Sequence, residues 1–106
     1  MPVETIQLKG PIRMGDAVDN LRNSMDARLK SGSPNMVVDM QSVTSLDSSA
    51  IGVLVRGLSL AKQQGGAIKL AAVPAAALQT LQVTGVARLF EIFGDAASAS
   101  ASFGAV

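Results

Sequence analysis

Cysteine, histidine, tryptophan and tyrosine are all absent from this chain of 106 residues, and phenylalanine occurs three times. Without His or Cys there are no nitrogen or sulfur ligands for zinc, no thiol nucleophile and no Ser-His-Asp triad. The lack of Cys also rules out disulfides, in keeping with a reducing cytoplasm. Few aromatics are available to stack on bases, the net charge is only +1, and the nine basic residues are scattered singly. Nucleic acid and anionic membranes are therefore not expected partners. Long apolar runs are missing too. The most apolar stretch, Ala50 to Ala61, has the length of a core helix and is broken by Gly52, Arg56 and Gly57. No membrane span is expected from it. The opening residues Met1-Pro2-Val3-Glu4-Thr5 lack the basic and apolar regions of a signal peptide, so a cytoplasmic protein is expected.

What is present is a dense supply of aliphatic residues. Apolar side chains make up 48% of the chain and charged ones 16%, a balance that favours a folded core over disorder. The length suits one domain spanning residues 1–106, with no internal repeat or linker.

Apolar spacing predicts the elements. Thr5 to Leu8 alternates as a short half-buried strand, and Gly10-Pro11 is expected to end it. From Asp16, read as an N-cap, Val18, Leu21, Met25 and Leu29 mark an amphipathic helix to about Lys30, stopped by Ser31-Gly32-Ser33-Pro34. Met36 to Met40 reads as a central strand covered on both faces, because its apolar residues do not alternate. Gln41 to Asp47 is expected to be a polar connection into a second helix carrying Ile51, Leu54, Val55 and Leu58, closed by Gly65-Gly66. Ala67 to Val73 predicts a buried strand and Pro74 to Val83 a third helix. Val86 to Phe93 predicts a turn and a short strand, and Asp95 caps an Ala/Ser-rich final helix over residues 96–106, expected to fray. The order β-α-β-α-β-α-β-α predicts an α/β fold with a mostly parallel sheet of four to five strands and about four helices.

Several enzyme-like patterns lead nowhere. Ser59-Leu60-Ala61-Lys62 matches Ser-x-x-Lys but lies inside a predicted helix and lacks the companion motifs of acyl-serine enzymes. Gly52 to Gly57 has P-loop glycine spacing without the following Lys-Ser, also within a helix, where small residues serve close packing instead. Asp39 and Asp47 are read as solvated or capping carboxylates. No catalytic residue, cofactor or metal site is expected.

Asp47-Ser48-Ser49 is the stretch with chemistry. Asp and Ser are preferred helix N-caps, and capping alone would account for them. The same geometry also suits a phosphate: the first helical turn offers free N–H groups and the positive end of the helix dipole. A phosphate on Ser48 would add roughly −1.5 to −2 charges beside Asp47 and repel a partner docked there.

At this point the residues resemble a known family. Val37-Val38-Asp39-Met40-Gln41-Ser42-Val43-Thr44-Ser45-Leu46-Asp47-Ser48-Ser49-Ala50-Ile51-Gly52-Val53-Leu54 is similar to the strand, loop and Asp-Ser-Ser-Gly-Leu-Gly helix opening of STAS domains, within them the bacterial anti-sigma factor antagonists. Gln64-Gly65-Gly66 and Leu81 to Phe93 resemble further family signatures in register. The resemblance implies partner switching. The unphosphorylated antagonist binds an anti-sigma factor that is also a GHKL-type serine kinase, and so releases a sigma factor. The kinase phosphorylates the first serine of the motif, here Ser48, abolishing the complex, and a PP2C-type phosphatase resets it. The implied partner-binding residues are Arg13, Asp47, Ser48, Ser49, Ile51 and Gly52, on a protein that is a monomer when free. Two departures stand out: Ala50 replaces a usual glycine, and Arg13 replaces an acidic residue. Little chain precedes Thr5, so the family's extra N-terminal strand is expected to be missing or short. The alternative is a constitutive STAS subunit of a lipid ABC transporter or of a stress-sensing assembly.

Overall fold

The computed structural model describes residues 3–104. Its elements run β1 (Glu4–Ile12), α1 (Asp16–Lys30), β2 (Asn35–Leu46), α2 (Ser48–Gln63), β3 (Ala67–Ala71), α3 (Ala75–Val83), a 3-10 turn (Ala87–Leu89), β4 (Ile92–Phe93) and α4 (Ala96–Ala101). The alternation expected from the sequence is present. The strands form one sheet of four, ordered β1-β2-β3-β4 and parallel throughout.

Strand order follows chain order, and this decides where the helices go. When successive crossovers share one hand and each adds its strand on the same side, their helices fall on one face of the sheet. α1, α2 and α3 accordingly share a core with Ile6, Met36, Val38, Ile68 and Leu70, to which they contribute Leu21, Met25, Leu54, Ala77 and Leu81. Burying each large aliphatic side chain there contributes about 1.5–3 kcal/mol. The second face carries Val37 and Ala71 and is covered by α4 through Ala96 and Ala99, with Val3, Phe93 and Phe103 beside them. Both faces being covered, Met36, Val37 and Val38 are all fully buried, and the apolar run therefore does not alternate.

Two strands outrun their expected ends. β1 continues through Gly10-Pro11 to Ile12, with register shifts between Gln7 and Lys9 and between Gly10 and Pro11. It is an edge strand, where a proline that cannot donate to the ladder is tolerated at a bulge, and Gly10 takes φ 72° at that bulge. β2 likewise runs on to Leu46, so the expected polar connection is strand. Beyond Asp39 it pairs with β1 alone. One side of this two-stranded extension meets water, which accounts for its polar residues: Met40, Val43 and Leu46 are buried, whereas Gln41, Ser42 and Thr44 are exposed.

Other differences are smaller. β3 stops at Ala71 rather than Val73 because Ala72 turns to φ 52°, outside strand geometry. α1 is capped by the Gly15 backbone without a side-chain hydrogen bond, and Asp16 is its first residue, where its charge favours the helix dipole. Of the two α2 glycines, only Gly57 serves close packing. A Cβ there would collide with the end of Met25 and lie 3.1 Å from Ile68 Cδ1, whereas one at Gly52 would meet open space.

Candidate functional site

α2 starts at the carboxyl end of β2, two residues after Leu46. Asp47 occupies the junction as N-cap with φ −100° and ψ 178°, the extended conformation a capping residue needs. Its carboxylate collects three donors. Oδ1 accepts the Ala50 N–H at 2.9 Å and the Ser49 hydroxyl at 2.6 Å. Oδ2 accepts the Met14 N–H at 2.8 Å, from a residue 33 positions earlier in the chain. The Asp47 N–H in turn donates to the Ile12 carbonyl at 3.1 Å. Together these bonds lower the Asp47 carboxyl to about 2, the Ser49 hydroxyl contributing most, then the Ala50 and Met14 N–H groups.

The geometry divides two adjacent serines. Ser49 is half-buried and its hydroxyl is occupied by Asp47. Ser48 is exposed, and its hydroxyl makes no hydrogen bond among the described residues. Around them the expected binding residues fall into two groups. Arg13 and Gly52 are exposed and flank the helix start. Ile51, expected on the binding face, is 6% exposed and belongs to the aliphatic core, where it anchors the first turn instead of presenting a surface. Beside Arg13, Met14 is 80% exposed although apolar, a feature that neither spacing nor composition had marked.

Two further features lie away from Ser48. A polar cleft of about 360 Å³ opens at the β1 bulge, lined by Gln7, Leu8, Lys9, Asp39, Gln41 and Ser42. Asp39 accepts the Gln41 N–H there at 3.1 Å, far from forming a carboxylate pair with Asp47. Under α4, Lys69 is 7% exposed, the single charged residue among the described buried side chains. It donates to Ser102 Oγ at 2.7 Å, lies 3.6 Å from Glu91 Oε1 and sits over the Phe103 ring at 4.1 Å. The Phe93 ring is 5.7 Å away. A lysine inside an apolar strand was the sequence signal, since a buried cation demands partners. No group of three or more acidic residues among the described residues is placed to hold a metal ion, and none of the described helices is long and apolar enough to cross a membrane.

Comparison with known proteins follows the same lines. The chain superimposes on the unphosphorylated anti-sigma factor antagonist SpoIIAA with a TM-score of 0.80 at 16% identity, over 96% of this chain and 89% of that one. An anti-sigma-factor antagonist (STAS) domain protein from Planctomyces limnophilus gives 0.75 at 23% identity, covering 84% and 78%. A sulfate transporter family protein from Wolinella succinogenes gives 0.78 at 19% identity, covering 94% and 83%. At such identities these likenesses speak for the fold. No curated protein sequence matches the chain significantly. A family model described as "Mlab, STAS domain" matches residues 3–92, and with the sheet, the Asp47 cap and the helix start in place, the chain belongs to the STAS domain family.

Proposed function

We propose that this STAS domain is an anti-sigma factor antagonist working by partner switching in the cytoplasm. Unphosphorylated, it binds an anti-sigma factor that is also a GHKL-type serine kinase, and the sigma factor is released. The kinase transfers the γ-phosphoryl group of ATP to Ser48: an Oγ–P bond forms, the bond from the γ-phosphorus to the bridging oxygen breaks, and ADP and the hydroxyl proton leave. A PP2C-type phosphatase hydrolyses the ester and resets the switch.

The observation that carries this reading is the contrast between the two serines. The Ser48 hydroxyl is exposed and unengaged, whereas Ser49 is tied to Asp47 at 2.6 Å. A phosphate on Ser48 therefore breaks no hydrogen bond of the cap. It adds charge at a helix N-terminus, which the fold tolerates and a docked partner does not. The docking face is formed by Arg13, Met14, Asp47, Ser48, Ser49 and Gly52.

The test is to incubate the protein with the GHKL kinase encoded nearest its gene and ATP, then map phosphate by mass spectrometry. One phosphate on Ser48 is expected, none in Ser48→Ala, and kinase binding is lost in Ser48→Asp. Modification elsewhere, or equal binding by the Asp variant, sinks the switch.

A second reading, a constitutive STAS subunit of a lipid ABC transporter or a stress-sensing assembly, rests on the family match itself, described as "Mlab, STAS domain" over residues 3–92. Co-purification with an ABC ATPase in place of a kinase would favour it.

A further inference from the structure

We propose that Arg13 is the clamp for a phosphate on Ser48. Its guanidinium pairs with the phosphate, holds it as the dianion, and is thereby withdrawn from the surface a partner meets. This deepens the reading of Ser48 as acceptor and rests on it.

The backbone places Arg13. The Ile12 carbonyl accepts the Asp47 N–H at 3.1 Å, and the Met14 N–H donates to Asp47 Oδ2 at 2.8 Å. Arg13 is the single residue between them. Both of its neighbours are bonded to the residue that precedes Ser48, so the start of its long side chain is fixed beside the helix entrance. That side chain is exposed and, among the described residues, engages no acid. Of the other arginines, Arg22 pairs with Asp19 at 3.0 Å and Arg56 with Asp26 at 3.1 Å, while Arg88 lies in the 3-10 turn that follows α3. Among the described residues, Arg13 is the unengaged guanidinium whose neighbouring backbone groups are bonded to Asp47.

The charges around Ser48 call for a cation. Asp47 is ionised at all ordinary pH values, its carboxyl lying at about 2, and Asp16 opens α1 three residues after Arg13. A phosphate on Ser48 thus joins the Asp47 carboxylate, and like charges disfavour its second ionisation. Asp47 already draws on the Ala50 and Ser49 N–H groups, so only the Ser48 N–H remains free in the first turn to offset this. A guanidinium offers two parallel N–H donors matched to phosphate oxygens, which an ammonium or a lone backbone amide does not.

Phosphoserine placed at position 48 by amber suppression makes the modified protein without any kinase, and ³¹P NMR then follows its second ionisation. Phosphoserine normally titrates near 6 in that step. With Arg13 present the midpoint falls below that of the Arg13→Gln protein by about half a unit or more, roughly a threefold difference in acidity, because an adjacent opposite charge favours the dianion. Arg13→Lys recovers only part of the shift. The difference narrows as salt is raised toward 1 M, as expected of an exposed pair. Lys30→Gln, at the opposite end of α1, leaves the midpoint where it was. Equal midpoints with and without Arg13, or an equal response to Lys30→Gln, overturn the clamp. Since the phosphate is installed genetically, that failure is distinct from failure of the switch, which shows instead as no phosphate on Ser48 in the kinase reaction.

Discussion

α2 and α4 begin in the same way and end up doing different work. Each opens on an aspartate that caps its own first turn: Asp47 accepts the Ala50 N–H at 2.9 Å, and Asp95 accepts the Ser98 N–H at 2.7 Å. Both carboxyls are lowered by their caps. Asp95 draws its hydrogen bonds from its own helix, whereas Asp47 also takes the Met14 N–H from the β1–α1 loop. α2 runs 16 residues and buries seven of them, while α4 runs six and buries Ala99 alone. The difference teaches that a local cap becomes a candidate site only when a second chain segment is tied to it and a rigid helix stands behind it.

Core truncation breaks the comparison most severely. Leu54→Ala on α2, at a fully buried position, is expected to cost about 2–5 kcal/mol through lost burial and a residual cavity. Urea denaturation measures this. Ala99→Gly on α4 is expected to cost no more than about 1 kcal/mol, the helix-propensity difference. Comparable losses at the two positions would erase the distinction between anchored and lightly anchored helices.

The α2 glycines sharpen it next. Gly57→Leu must displace Met25 and Ile68 and is expected to destabilise by about 1–3 kcal/mol. Gly52→Ala faces open space and is expected to gain up to about 1 kcal/mol from helix propensity. Calorimetric midpoints moving in opposite directions bear this out.

On the α4 side, Lys69→Met keeps the length of the side chain and removes its charge. Global stability is expected to stay within about 1 kcal/mol of the parent, since an apolar replacement for a buried ion is often neutral. The tie to Ser102 and the ring contacts of Phe103 and Phe93 go with the charge. Amide exchange over residues 96–103 should therefore quicken, with Met36–Met40 unaffected. Uniform acceleration across the chain would contradict a local role for Lys69 under α4.

The smallest effect concerns acid. The Asp47 carboxyl is lowered from 3.8 to about 2 in the folded protein, so its ionised form stabilises the fold. That contribution is complete above 3.8 and fades as pH falls toward 2. Asp47→Asn should be less stable than the parent at neutral pH, with the gap closing over that acid range. A gap that widens in acid is the contrary result.

Much of the fold was legible because it is written in short-range patterns. Val18, Leu21, Met25 and Leu29 are the buried stripe of α1 as their spacing predicts, and the Asp47 and Asp95 caps reach only three residues along the chain. The second halves of β1 and β2 were misread because Gly10-Pro11 and the polar connection expected over Gln41 to Asp47 look like breaks. They are strand because the two segments pair with each other at an edge, where one side faces water. Ile51 belongs to the same motif as the exposed Ser48 and Gly52, but helix phase turns it inward.

By itself, then, the sequence determined the order of helices and strands, the absence of thiol and imidazole chemistry, and the start of α2 at an Asp-Ser-Ser cap. Those properties depend on residue type and on spacings of a turn or less. Tertiary structure alone decided which serine is free, that Met14 and Ile12 hold Asp47 from 33 and 35 residues away, and that Arg13 stands between them. Such contacts arise only when β1 pairs beside β2 and carries the following loop to the entrance of α2, and no local pattern encodes that meeting.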